Sequence, residues 1–248
     1  MIQFFNRLPS LTKFCWILLF SNALFIGFYF SGVAVLQQLI APTINKANFS
    51  FQQMREFGLL EMTQNVLLLS IIIILLKGAI RASLPMMKAF FSVGVAAFIF
   101  LFLEELDYGL HIYKYFTGEF SDTQYMSWHN QWNDGVENAT KLKRANDVVN
   151  GLWFFVIPLL FKWAKNEKIT NNFFYKLIPT VWFPLGFLIA FACSKGAHQL
   201  DELGLAVING INGNLQGTIA EFRETSIYYL YFLYAIHLLT NLTEPKKS

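Results

Sequence analysis

Three carboxylates and an imidazole close an apolar run. Phe98 to Lys114 reads FIFLFLEELDYGLHIYK, so Glu104, Glu105, Asp107 and His111 follow a stretch of helical length with no turn signal between. On a helix Asp107 and His111 are i,i+4, and Glu104 lies one turn before Asp107, so these three share a face. Glu105 is rotated about 100° away. The same grammar recurs elsewhere: Glu61 with Asn65, Asn146 with Asn150, His198 with Asp201 and Glu202, and Glu221 with Glu224 beside Arg223. Carboxylates and imidazoles ligate divalent ions such as Zn²⁺, Mn²⁺ or Fe²⁺. A metal so held turns bound water into a nucleophile at neutral pH. Without a metal, crowded carboxylates raise one another's pKa and yield an acid beside a base. The same groups can also carry protons or cations across a membrane.

The candidate catalytic groups are therefore Glu104, Asp107, His111 and Glu61. The candidate metal ligands are Glu104, His111, His198, Asp201, Glu202 and Glu221, with His129 and Asn130 on a loop that could act as a lid. Each has a plainer reading. Asp107 and His111 could form a structural ion pair. Glu221, Arg223 and Glu224 could be a solvated helix start, since acids favour that end. His129 lies between Trp128 and Trp132, as an interfacial residue would. His237 reads as a hydrogen-bonded packing residue. Glu61 and Glu104 are hardest to dismiss, because a buried charge needs a partner. No strict His-Glu-x-x-His motif, glycine-rich phosphate loop or Gly-x-Ser-x-Gly elbow is present. The motifs name no cofactor beyond a divalent metal.

What must position these groups follows from composition. The chain has 248 residues, 55% hydrophobic and 14% charged, with 27 phenylalanines. Soluble domains carry about 25% charged residues. The expectation is an all-α, polytopic membrane helix bundle in a single domain, 1–248, with about six transmembrane helices. They are placed at about 14–40, 59–76, 89–111, 148–164, 177–193 and 225–242, with outer loops 114–147 and 195–224. The first apolar run exceeds the roughly 7–15 residues of a signal-peptide core, so it is read as a retained span. Pro158 and Pro184 fall inside spans, where neighbours must satisfy the freed carbonyls. Cys15 and Cys193 fall in apolar runs and read as small core residues.

Loop charge sets the orientation. With both termini cytoplasmic, the inner side holds Arg7, Lys13, Lys77, Arg81, Lys88 and Lys162 among others. Of the 16 acids, only Glu167 and Glu244 are then inside. That asymmetry points to function or partner chemistry on the outer face. Lys88 to Glu104 and Lys77 back to Glu61 each span about 24 Å of helix, and Lys162 back to Asp147 about 22 Å. In a hydrocarbon core about 30 Å thick, these groups come to similar heights in the outer third. The reading is an acidic, histidine-containing cup open to the outer side, with the lipid bilayer as partner and no nucleic-acid footprint.

Glu104-Glu105-Leu106-Asp107-Tyr108-Gly109 resembles a Glu-Glu-Ile-Ser-Trp-Gly-Gln signature in a group of uncharacterised bacterial integral membrane proteins. That group tends to carry a His-Asn pair in the following loop, similar to His129-Asn130. This chain departs from it at Asp107 for Ser, Tyr108 for Trp and Leu110 for Gln. The resemblance implies a bacterial inner-membrane protein in which the double Glu, the Gly and the His-Asn loop form one feature. It carries no activity. The leading expectation is a metal-assisted enzyme acting on a lipid or lipid-linked substrate. The alternatives are a proton- or cation-coupled transporter or channel subunit, and a non-catalytic sensor or assembly subunit that binds other membrane subunits.

Overall fold

A computed structural model describes residues 10–42, 57–117, 136–161, 173–204, 207–208, 211–212 and 216–243. His129 and Asn130 lie outside these. The described chain is helical except for one short hairpin, so the all-α expectation holds. In order come α1 (Ser10–Tyr29), α2 (Ala34–Ile40), α3 (Leu59–Arg81), α4 (Pro85–Glu105), a 3₁₀ turn (Asp107–Gly109) and α5 (Leu110–Thr117). Then follow α6 (Val136–Gly151), a π-helical turn (Leu152–Val156), α7 (Ile157–Phe161), α8 (Phe173–Leu177) and α9 (Phe183–Glu202). Strands β1 (Val207–Ile208) and β2 (Ile211–Asn212) pair antiparallel before α10 (Gln216–Thr243). The chain divides into two compact units. The first is Met1–Val66, His111–Asp122 and Leu188–Tyr229; the second is Leu67–Leu110, Thr123–Phe187 and Leu230–Ser248.

Among the described residues, two helices, α3 and α4, are long and apolar enough to cross a membrane. Their burial patterns differ. Helix α3 buries a stripe at Leu60, Gln64, Leu68, Ile71 and Leu75, the i,i+3/i+4 spacing of one face. Helix α4 buries only Met87, Phe91 and Glu104. Val93, Ile99 and Phe100 stand exposed on it. Helix α4 thus leaves most of its apolar side chains exposed or half-buried while burying Glu104. Residues 82–84 join α3 to α4, and so short a link makes them antiparallel neighbours. They close tightly: a Cβ on Gly78 would meet the Phe91 ring at 2.5 Å, and one on Gly94 would meet Leu75 Cδ1 at 3.3 Å.

Several helix bounds differ from the sequence expectation, each for a local reason. The run 14–40 is two helices, not one. Gly32 is left-handed at φ 72°, and the Ser31 hydroxyl donates to Phe28 O at 2.8 Å while accepting from Val33 N at 3.1 Å. Such local bonds compete with helix continuation. The Gln37 amide then donates to Tyr29 O at 3.0 Å, satisfying a carbonyl that the end of α1 would leave open. Helix α4 stops at Glu105 because Asp107 and Tyr108 are left-handed (φ 47° and 54°), followed by Gly109 at φ 84°. Pro158 does not end its helix: the π-helical turn before it widens the backbone where the ring would collide with the Phe154 carbonyl. The stretch expected as one span from Leu177 breaks at 178–182 around Pro179, and Pro184 falls in the first turn of α9, where proline is tolerated. That helix runs on to Glu202, beyond the expected end at Cys193.

Candidate functional site

The first unit has an apolar core of Phe25, Tyr29, Ile40, Ala41, Leu60, Ala197 and Phe222 and also buries several polar groups. Tyr29 and Phe222 meet edge to face at 5.5 Å. Helix α3 places Glu61 and Gln64 one turn apart, and α10 places Glu221 and Thr225 one turn apart; all four are buried. The Gln64 amide nitrogen reaches Glu221 Oε2 at 2.9 Å, Thr225 Oγ1 at 3.1 Å and Glu221 O at 3.3 Å. The Thr225 hydroxyl donates to Glu221 O at 2.8 Å. Beside it, Ser226 accepts from Asn22 Nδ2 at 2.7 Å and donates to Phe222 O at 2.7 Å. A carboxylate 8% exposed is thus held by an amide 1% exposed. Burying a carboxylate is unfavourable without such hydrogen bonds.

The donors do not match the acceptors. Once its nitrogen faces Glu221, Gln64 presents its carbonyl Oε1 elsewhere, and that atom is buried with no hydrogen-bond partner among the described residues. Asn22 Oδ1 and Asn65 Oδ1 are in the same condition. Three buried amide oxygens therefore lie in the unit that holds Glu61 and Glu221. A site rich in oxygen acceptors attracts a proton or a hard cation.

The second unit holds the other expected groups. Glu104, 3% exposed, ends α4, and Asp107, 1% exposed, opens the 3₁₀ turn. Tyr108 O–H donates to Glu104 Oε1 at 2.6 Å. Asp tolerates the left-handed region; tyrosine rarely does. Strain of this kind clusters at functional positions.

The remaining expected residues are placed as follows. His198 and Glu202 are exposed, and Asp201 is half-buried. They lie on the outer row of α9 with exposed Lys195, while Ala190, Cys193 and Ala197 face inward. Of His111 only the helical backbone in α5 is described. Among the described residues, no group of three or more His, Cys, Asp or Glu comes together to hold a metal. Sequence reasoning missed Gln64, Asn22 and Thr225. The signal was present for Gln64: it is i+3 from Glu61 in an otherwise apolar helix.

Also in the second unit, α10 serves backbone, not carboxylates. Tyr234 O–H donates to Leu177 O at 2.7 Å, and His237 Nε2 donates to Ile178 O at 3.0 Å. These carbonyls lie where the α8–α9 break opens the helical ladder. Tyr231 O–H instead donates to a side chain, Asn150 Oδ1, at 3.0 Å, just before the π-helical turn.

No family model matches this chain, and neither the curated proteins nor the solved structures contain a match to it.

Proposed function

We propose that the chain is a multi-pass inner-membrane helix bundle of about six spans, with both termini cytoplasmic. Its first unit binds a proton or a small hard cation at Glu61, Gln64 and Glu221 and couples that binding to transport. One observation carries this reading: among the described residues, amide oxygens of Gln64, Asn22 and Asn65 are buried without hydrogen-bond partners in the unit that buries Glu61 and Glu221. A cation satisfies such oxygens and the carboxylates together. Polar groups at membrane depth mark ion and substrate paths by default. The lipid bilayer enters through α4, whose exposed side chains apart from Lys88 and Ser92 are apolar. The alternative of a divalent-metal enzyme acting on a lipid-linked substrate draws on His198 and Glu202, which face outward on α9. The acceptor-rich cluster favours the cation reading.

The test is thermal unfolding of the purified full chain in Na⁺, K⁺ and choline, each across pH, followed by flux in liposomes. The wild type is expected to gain stability with one cation or with falling pH, and Glu221→Gln is expected to lose that dependence and the coupled flux. Equal stability under every cation and pH, or undiminished coupled flux in Glu221→Gln, would overturn the proposal.

A further inference from the structure

The α8–α9 break in the second unit borders a cavity of about 350 Å³. It lies within the second unit and is independent of the carboxylate cluster in the first. Its walls include Phe161 from α7, Lys176 from α8, Pro179 and Thr180 from the break, and His237 and Asn241 from α10. Irregular backbone at membrane depth is tolerated where it is buried in protein or lines a cavity. Discontinuous helices of this kind build ligand sites in transporters.

The lining chemistry narrows the ligand. The imidazole of His237 is fully used. Ile178 O can only accept, so Nε2 carries the proton toward it, and Nδ1 accepts from Asn241 Nδ2 at 3.1 Å. His237 thereby fixes both the broken backbone and the Asn241 amide. The groups left for a ligand are the Lys176 ammonium, the second N–H of Asn241 and the hydroxyls of Thr180 and Tyr175. Thr180 Oγ1 is buried with no hydrogen-bond partner among the described residues. No carboxylate is among the lining residues. Donors with one positive charge and no acid select an anion. The other wall is apolar, with Phe161 and Pro179. Trp182, next to the lining residue Val181, is exposed, as an aromatic at a membrane interface is. A free phosphate would meet that apolar wall without hydrogen-bond donors; the first carbons of a lipid would pack on it. In sequence, the segment joining α7 to α8 carries Lys162, Lys165 and Lys168 against one acid, Glu167. Basic pockets on the cytoplasmic side of helix bundles hold anionic headgroups.

We propose that this cavity binds the phosphate headgroup of an anionic lipid. Lys176 supplies the charge, Thr180 and Asn241 supply hydrogen bonds, and Phe161 and Pro179 receive the start of the acyl chains. The test titrates the full chain in neutral detergent with short-chain phosphatidylglycerol, short-chain phosphatidylcholine and inorganic phosphate, reading the unfolding temperature. Phosphatidylglycerol is expected to stabilise saturably, and phosphatidylcholine to do nothing at the same concentration. Lys176→Gln should weaken the phosphatidylglycerol response about tenfold or more, the loss of one charge-assisted hydrogen bond. Thr180→Val should weaken it less, and the exposed control Lys88→Gln should leave it unchanged. Equal responses to the two lipids, or Lys176→Gln behaving as Lys88→Gln does, would overturn the site. Inorganic phosphate stabilising as strongly as phosphatidylglycerol would overturn the lipid part and leave an anion site.

Discussion

Helix α10 carries polar side chains in both units, but they do different work. In the first unit Glu221 and Thr225 bond to a side chain of another helix, Gln64. In the second unit Tyr234 and His237 bond to main-chain carbonyls at a helix break. The first arrangement concentrates charge and leaves amide oxygens over. The second satisfies carbonyls of Leu177 and Ile178 that the end of α8 would otherwise leave open. Burial alone does not separate the two; the partner does. A charge held by side chains is a candidate for function, and a neutral group held against backbone is architecture.

Replacing Gln64 with Leu should break this contrast most severely. It removes the Gln64 amide donor from the buried Glu221 carboxylate. Loss of a hydrogen bond to a buried charge should destabilise by about 3 kcal/mol. Thermal unfolding in detergent measures it. Pairing Gln64→Leu with Glu221→Leu should recover most of the loss, because both polar partners are then replaced by apolar groups. A double variant as unstable as the single one would show that Gln64 acts through packing and not through the carboxylate.

Part of this was legible in the letters. Helices and their apolar character follow from spacing and composition, and the cost of desolvation singles out Glu61 and Glu104, whereas Glu221 read equally well as a solvated helix start. The breaks were less legible. Ser31-Gly32 lies within a long apolar run, and a local hydroxyl bond decides there against continuity. Asp107 and Tyr108 look like good helix residues; their left-handed backbone is set by tertiary context. His198 and Glu202 were misleading for a geometric reason. An i,i+4 pair shares a face, but the sequence does not say whether that face points in. Small residues at Ala190, Cys193 and Ala197 mark the inward face of α9, and they place His198 on the other. Gln64 was readable in principle, since it shares a face with Glu61.

The second prediction separates packing from polar chemistry. Gly78→Ala places a Cβ 2.5 Å from the ring of Phe91, which is fully buried and has no room to retreat. Overpacking of this kind should destabilise by about 2 kcal/mol. The cation dependence proposed for the first unit should survive in whatever fraction stays folded. Gly78→Ala with Phe91→Leu should restore stability in part. If Gly78→Ala is neutral, the α3–α4 contact is looser than the Gly78–Phe91 distance requires.

A third variant addresses the turn after α4. Gly109 is at φ 84°, and open space surrounds the position, so only backbone conformation opposes a side chain there. Gly109→Ala should therefore lower stability by about 1 kcal/mol, the left-handed penalty for an L-residue. Gly109→Asn should lose less, since asparagine tolerates that region. Equal losses would point to contacts made by the new side chain.

The smallest effect tests the architectural half of the contrast. Tyr234→Phe deletes one hydroxyl and leaves Leu177 O without its donor at the helix break. A neutral hydrogen bond contributes about 1 kcal/mol, so the unfolding temperature should fall by a few degrees. The ring contacts with Phe154 and Trp153 remain, so packing is little disturbed. Because Tyr234 holds backbone and not a carboxylate, Tyr234→Phe should leave the cation dependence unchanged while Glu221→Gln abolishes it. If Tyr234→Phe also removes that dependence, the division between a charge-holding and a backbone-holding stretch of α10 is wrong. The helix would then act as one polar element from Glu221 to Asn241.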